Sequence, residues 1–138
     1  MAKIEKASMD GTERTVVHST GLVWPNGITL DLSTQTLYWI DGGRSTERIE
    51  SSNTDGSSRT VIADSNIYQP FGITVFKEMI YFIDHLTGIN TVPKTGGTVQ
   101  VIYDNLCGNT MGIEIIAEER QPAGNISVEI IEPSYRAG

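Results

Sequence analysis

The chain has 138 residues, of which 38% are hydrophobic, a length that suits one domain with a core of ordinary size. Its formal net charge is −7, from 10 Lys and Arg against 17 Asp and Glu, and the acidic residues are scattered along the chain. Because nucleic-acid binding requires clustered basic residues, this charge pattern argues against a nucleic-acid partner.

The first six residues, Met-Ala-Lys-Ile-Glu-Lys, carry charges every two or three positions and contain no apolar segment, so they do not resemble a signal peptide. No stretch of the sequence is as long and apolar as a membrane-spanning helix. Taken alone, these features predict a soluble, cytosolic chain. If the chain is part of a receptor, we expect membrane attachment only through other parts of that receptor.

The sequence repeats itself. Segment 3–41 recurs as 48–84 and, more distantly, as 88–116. Equivalent positions are 45 residues apart between the first two repeats and 40 apart between the last two, as shown by Asp10 and Asp55, Pro25 and Pro70, and Gly72 and Gly112. The spacing changes only in segments that we interpret as loops.

In chain order, each repeat predicts short β-strands joined by tight turns. Period-two alternation places Ile28, Leu30 and Leu32 on one face of "GITLDL", and Ile73 and Val75 on one face of "GITV". The Asp-Gly, Gly-Gly and Pro-Asn-Gly elements between them are typical of hairpin turns. No helical periodicity competes with this interpretation.

The strands "LYWID" (37–41) and "IYFID" (80–84) are apolar on both faces. A strand of this kind is typical of a sheet that is covered on both sides. Four short strands in each period, one of them covered on both sides, predict the blade of a β-propeller rather than a two-layer sandwich.

The "YWID" and "YFID" strands, with a following Ile-containing strand, a "DG" or "GG" turn and a Pro-x-Gly-Ile element, resemble the YWTD repeats of low-density lipoprotein receptor-related proteins, nidogen and the epidermal growth factor precursor. The resemblance covers roughly residues 3–116 and is strongest to Wnt co-receptor-like members. It implies an all-β fold: a partial, about three-blade YWTD-type propeller of antiparallel four-stranded blades, half of a six-bladed ring. We assign residues 1–116 to this propeller and 117–138 to a divergent tail with one possible extra strand.

The resemblance also implies structural roles for the motif residues, in which the Asp ties neighbouring blades together. These motif residues are Tyr38, Trp39, Asp41, Tyr81, Phe82 and Asp84. A buried carboxylate needs hydrogen-bond partners, and the backbone N–H groups beside an inter-blade strand can supply them. Other turn aspartates are expected to bond their own backbone: Asp10, Asp31, Asp55, Asp64 and Asp104.

Three segments precede the predicted innermost strands of the blades: "LVWPNG", "IYQPFG" and "CGNTMG". We expect them at the mouth of the propeller's central channel, and they carry the candidate ligand-binding residues. Large apolar side chains beside an amide are suited to a protein-ligand hot spot. The candidates are Trp24, Asn26, Tyr68, Phe71 and Met111. The resemblance implies that an Asn here receives an Asn-containing ligand peptide, which would be Asn26. The alternative is that Phe71 and Met111 fill the channel and Trp24 packs on its own blade.

No nucleophile motif, phosphate loop or metal-ligand spacing is visible, so we predict no catalytic residues, no metal and no cofactor. His18 and His85 occupy non-equivalent positions in their repeats. Cys107 is the single cysteine: a missing disulfide partner, an intermolecular bridge, a buried thiol and a small turn residue all remain open. Asn125-Ile126-Ser127 is a glycosylation sequon that matters only in a secreted protein.

These expectations favour a non-enzymatic, extracellular or cell-surface module that binds protein ligands, in Wnt signalling or endocytosis. A nidogen-like matrix protein that binds laminin is the alternative, and a propeller hydrolase or lactonase is the third hypothesis. Because repeat units bury their apolar faces only against neighbours, we also expect self-association through open blade faces, or marginal stability.

Overall fold

The computed structural model describes residues 1–106, 110–116 and 127–131. These residues form strands β1 Ile4–Lys6, β2 Thr15–His18, β3 Pro25–Asp31, β4 Thr36–Asp41, β5 Arg48–Asn53, β6 Thr60–Ala63, β7 Pro70–Phe76, β8 Met79–Asp84, β9 Gly88–Pro93, β10 Gln100–Tyr103, β11 Gly112–Ile116 and β12 Ser127–Ile131. The described part of the chain holds no helix long and apolar enough to cross a bilayer.

The strands form two complete blades and two half-blades. β3 to β6 make one antiparallel four-stranded sheet and β7 to β10 make another, each in chain order. β1 pairs with β2, and β11 pairs with β12, as separate two-stranded sheets. This all-β arrangement confirms the predicted partial propeller of four-stranded blades, and β12 lies within segment 117–138.

The inner strands β3, β7 and β11 lie side by side around the channel, and glycines make their close approach possible. A Cβ atom built on Gly27 would lie 2.2 Å from the Phe71 carbonyl oxygen, and one on Gly72 would lie 2.9 Å from the Met111 carbonyl oxygen. Any larger residue would separate the strands. The Gly of the Pro-x-Gly element therefore sets the spacing between adjacent blades.

The second strand of each blade is covered on both sides, as its sequence predicts. Trp39 and Ile40 of β4, and Phe82 and Ile83 of β8, have no exposed surface. The main core lies between the two complete blades and contains the buried side chains Tyr38, Ile40, Ile49, Ala63, Ile67, Ile73, Val75, Ile80, Phe82, Val92 and Val99. A smaller core of Ile83, Ile89 and Ile113 joins the second blade to β11.

Three of the turn aspartates make the predicted hydrogen bonds to the backbone of their own turns. Asp10, Asp31 and Asp55 each accept a bond from the backbone N–H and the hydroxyl of the residue two positions later. These bonds close the short turns at strand ends.

Candidate functional site

Two loops lead into the inner strands of the complete blades, and we call them the channel loops: residues 19–24 before β3 and residues 64–69 before β7. Pro25 pairs with Asp41, and Pro70 pairs with Asp84, so each loop ends beside the motif aspartate of its own blade. Both loops therefore emerge at the same edge of the molecule.

Asp41 fixes the first channel loop. Its carboxylate has no exposed surface and accepts hydrogen bonds from the backbone N–H groups of Val23 at 2.8 Å and Trp24 at 2.7 Å. It also accepts one from Gly43 at 3.2 Å, in the turn that follows β4. These bonds hold the backbone that carries the Trp24 side chain.

Asp84 makes the same contacts in the second blade. Its buried carboxylate accepts bonds from the N–H groups of Tyr68 at 2.7 Å, Gln69 at 3.1 Å and Leu86 at 2.9 Å. The carboxylates thus join each channel loop to the turn after the motif strand. The resemblance implies that the Asp ties neighbouring blades together, and each channel loop is the segment that connects one blade to the next.

A buried ionic cluster also supports the first channel loop. Glu50, 3% exposed, accepts bonds from the guanidinium groups of Arg59 at 2.6 and 2.8 Å and of Arg48 at 2.7 Å. Arg59 also donates to the Thr20 carbonyl at 2.7 Å, and both arginines donate to Gly21. Burial would raise the pKa of Glu50, but the bonds from the two arginines outweigh it and lower the pKa.

Between the two channel loops lies a cleft of about 510 Å³. Trp24 and Tyr68 contribute to its walls and keep 56% and 48% of their surface exposed. Arg44 and Glu47, from the turn after β4, also line it. The cleft therefore combines exposed aromatic surface with charges of both signs, an arrangement suited to a polypeptide ligand.

Asn26 faces this cleft, but its amide is already engaged. Its side-chain Nδ2 donates a 2.8 Å hydrogen bond to the Pro70 carbonyl oxygen of the next blade. A Cβ atom on Gly42 would lie 2.5 Å from that nitrogen, so the small residue at position 42 leaves room for the amide. Asn26 therefore links two blades through one of its two Nδ2 hydrogens.

Phe71 occupies the position in the second blade that Asn26 occupies in the first. Its ring stacks on the His85 imidazole with a centroid separation of 4.1 Å and an interplanar angle of 21°. The Nε2 atom of His85 lies 2.8 Å from the Thr110 carbonyl oxygen of the next blade. Phe71 is therefore half-buried against His85 of its own blade, and His85 makes the contact with the next blade.

The candidate residues do not form one cluster. Trp24, Asn26, Tyr68 and Phe71 line the same cleft, whereas Met111 lies one blade further along, just before β11, with 54% of its surface exposed. Cys107 and Asn125 lie outside the described residues. Within those residues, no group of three or more His, Cys, Asp and Glu side chains could hold a metal ion.

Sequence reasoning missed His85, Arg44 and Glu47. His85 could have been suspected because it directly follows the motif Asp, where the first repeat has Gly42. Arg44 and Glu47 belong to the turn "GGRSTE", three residues longer than its counterpart in the next repeat. The greater length of this turn is the sequence signal that could have identified them.

Comparison with known proteins agrees with this geometry. The family described as low-density lipoprotein receptor repeat class B matches residues 2–32 and 35–77, together just over half of the chain. The chain belongs to this family. Its fold is thus the YWTD propeller found in lipoprotein receptor-related proteins and nidogen, and the class B repeat propeller is a protein-interaction module.

Curated relatives of this class B repeat chain are receptors. Human low-density lipoprotein receptor-related protein 5 is 37% identical over 118 residues, which is 85% of this chain and 7% of the relative. Chicken low-density lipoprotein receptor-related protein 8 is 60% identical over 40 residues, 29% of this chain and 4% of the relative. The chain therefore spans only a small part of the length of these relatives.

Among solved structures, the chain resembles one in the crystal structure of a nidogen/laminin complex. The TM-score is 0.68 and the sequence identity 30%, over 80% of this chain and 43% of that chain. The propeller of a matrix protein and the propellers of receptors thus share this architecture.

Proposed function

We propose that the chain is a non-enzymatic binding module of an extracellular or cell-surface protein, and that a protein ligand docks on the face formed by the channel loops. The observation that carries this proposal is the cleft of about 510 Å³ with exposed Trp24 and Tyr68 on its rim. Each of these aromatics donates its own backbone N–H to a fully buried Asp.

Binding costs conformational entropy when loops and side chains of the interface have to become ordered. Large aromatic side chains supply apolar contact area with few rotatable bonds. Since Asp41 and Asp84 already hold the backbone beside them, little further conformational entropy is lost when a ligand docks. The Arg44 and Glu47 charges would then select and orient the ligand.

Receptor relatives support a place in a lipoprotein receptor-related ectodomain, with a role in Wnt signalling or endocytosis. The ligand class we favour is a peptide segment that contains Asn. Its side-chain amide would donate to the Asn26 Oδ1 atom, while one Asn26 Nδ2 hydrogen stays bonded to the Pro70 carbonyl oxygen. Membrane attachment would come through other parts of a receptor.

A matrix protein is the second candidate, and the likeness to the nidogen chain of the nidogen/laminin complex favours it. In that case the same face would bind laminin. The two candidates share one binding surface and differ in the ligand.

The test is binding of the purified chain to an immobilised Asn-x-Ile peptide and, in parallel, to immobilised laminin. Trp24→Ala and Tyr68→Ala should each weaken the preferred interaction at least about tenfold, since aromatic anchors carry most of an interface energy. Val61→Ala is the matched control, because Val61 is 48% exposed on the outer strand β6, remote from the cleft. Peptide binding alone supports the receptor role, and laminin binding alone supports the matrix role.

Two results would contradict the proposal. One is that the folded chain binds neither probe. The other is that both aromatic variants bind as tightly as the unmodified chain, which would move recognition away from the channel loops.

A further inference from the structure

Two successive blade junctions occur in this chain: the first, where β3 lies beside β7, and the second, where β7 lies beside β11. At each junction a side chain of the earlier blade bonds the carbonyl oxygen of the residue before x-Gly in the later blade. Asn26 Nδ2 donates to the Pro70 oxygen at 2.8 Å, and His85 Nε2 lies 2.8 Å from the Thr110 oxygen. Because a carbonyl oxygen only accepts, His85 Nε2 carries the hydrogen and donates it. Equivalent carbonyls thus receive equivalent bonds from two different positions of the repeat.

The two donor positions are complementary. Asn26 is the x of Pro-x-Gly in the first repeat, and Phe71 takes that place in the second. His85 directly follows the motif Asp of its repeat, where the first repeat has Gly42. A Cβ atom on Gly42 would lie 2.5 Å from Asn26 Nδ2, whereas the Phe71 ring stacks on the His85 imidazole at 4.1 Å between centroids. One position of each pair therefore supplies the donor, and the other leaves it room or packs on it.

The choice of donor also decides what each junction offers to a ligand. An amide has an acceptor oxygen and two donor hydrogens, so the single bond from Asn26 to Pro70 leaves it able to bind a ligand amide. Phe71 has no polar side-chain atom, and Leu86, which is 65% exposed, lines the same cleft. The first junction is thus suited to an amide and the second to an apolar side chain.

We propose that the residue pair at each junction determines which ligand side chain that junction accepts. Asn26 with Gly42 accepts an amide, and Phe71 with His85 accepts an apolar side chain. His85 is a positioning residue, because it makes the bond between blades and position 71 then need not be polar. Alternate side chains of an extended peptide point to the same side, so the ligand would carry an Asn and an apolar residue separated by one residue. This choice of ligand rests on the proposed function, whereas the exchange of roles within each pair does not.

Urea unfolding tests the exchange of roles without any ligand. Phe71→Asn should lower the urea midpoint because it removes the stacked ring. His85→Gly should lower it because the buried Thr110 loses the donor to its carbonyl oxygen. The two changes together recreate the pair of the first junction, so the midpoint should lie closer to that of the unmodified chain than the sum of the two losses predicts. Losses that simply add would overturn the inference.

A second pair of variants isolates the bond made by His85. A Gln side chain can donate an N–H from near the position of the imidazole Nε2, whereas a Leu side chain of similar size cannot donate. His85→Gln should therefore keep the urea midpoint closer to that of the unmodified chain than His85→Leu does. Equal losses in these two variants would overturn the positioning role of His85.

Peptide binding tests the ligand chemistry, with immobilised Asn-x-Ile and Asn-x-Asn peptides as probes. The unmodified chain should bind Asn-x-Ile at least about tenfold more tightly, because an amide placed on the Phe71 ring would lose water without gaining a partner. The chain with both Phe71→Asn and His85→Gly should lose or reverse this preference, a change that a merely structural role would not produce. Val61→Asn is the matched control and should keep the preference, because it places an amide at an exposed position of β6, remote from the cleft.

The outcomes separate this inference from the proposed function. If the doubly substituted chain prefers Asn-x-Ile as strongly as the unmodified chain does, the inference is overturned. Weaker binding by Trp24→Ala and Tyr68→Ala would in that case still support the channel-loop site. Binding of neither peptide by the folded, unmodified chain would also overturn the inference, and the response to laminin would then decide the proposed function.

Discussion

At the scale of single residues, the Asp41 carboxylate shows how the motif works. It is fully buried, and its bonds are to three backbone N–H groups of two different chain segments. An acceptor with two oxygens can hold several N–H donors at once, which neither a hydroxyl nor an amide can do as well. The motif therefore ends in Asp because two loop segments have to be held at one point.

Asp41→Asn tests this role. The amide keeps the size of the side chain but replaces one acceptor oxygen with a donor that would face backbone N–H groups. We expect a loss of about 1–3 kcal/mol in the free energy of unfolding, measured by urea denaturation. Asp10→Asn is the control, because Asp10 is exposed and bonds only Thr12. Equal losses in both variants would contradict the structural role of Asp41.

Side-chain partners across blades are the part of the site that the sequence does not reveal. The positions of Asn26 and Phe71 follow from the Pro-x-Gly pattern, but their bonding does not. The Asn26–Pro70 bond and the His85–Thr110 contact join residues whose separation depends on how blades pack, which no local pattern encodes. The sequence does not reveal the burial of Glu50 either, because "RIESSN" has the composition of a polar, exposed strand.

At the scale of elements, the complete blades are joined at both ends. Asn26 connects them at the channel-loop end, and an ion pair connects them at the other end of β3, where Lys94 Nζ lies 2.5 Å from Asp31 Oδ2. Burial would raise the pKa of Asp31, but Lys94 and the hydroxyl and backbone N–H of Ser33 outweigh it and hold the pKa well below its usual range.

This ion pair predicts an acid-sensitive link between blades. Because the folded state lowers the Asp31 pKa, its stabilisation is present above the ordinary pKa of about 4 and is lost as the pH falls through the folded value. A double-mutant cycle with Asp31→Asn and Lys94→Met should give a coupling energy of about 1–2 kcal/mol at pH 7. The coupling should shrink as the pH is lowered below 4; a coupling that stays constant would contradict the role of the pair.

At the scale of the whole molecule, the repeat predicted the strands, their order and the covered second strands, because each depends on local periodicity. The sequence grouped Ile28 and Leu30 with Ile73 and Val75 as similar apolar faces, yet only the second pair is buried. Whether such a face is covered depends on its neighbour in space, and equivalent sequences at different ring positions have different neighbours.

Hydrogen exchange should reveal how strongly the backbone amides of each strand are protected from solvent. The amides of β4 and β8 belong to strands with fully buried side chains and paired neighbours on both edges, so they should exchange most slowly. Those of β6 and β10 belong to outer strands that are paired on one edge only, so they should exchange faster. Mass spectrometry of peptides covering each strand measures this, and equal exchange rates in all four strands would contradict the difference in protection.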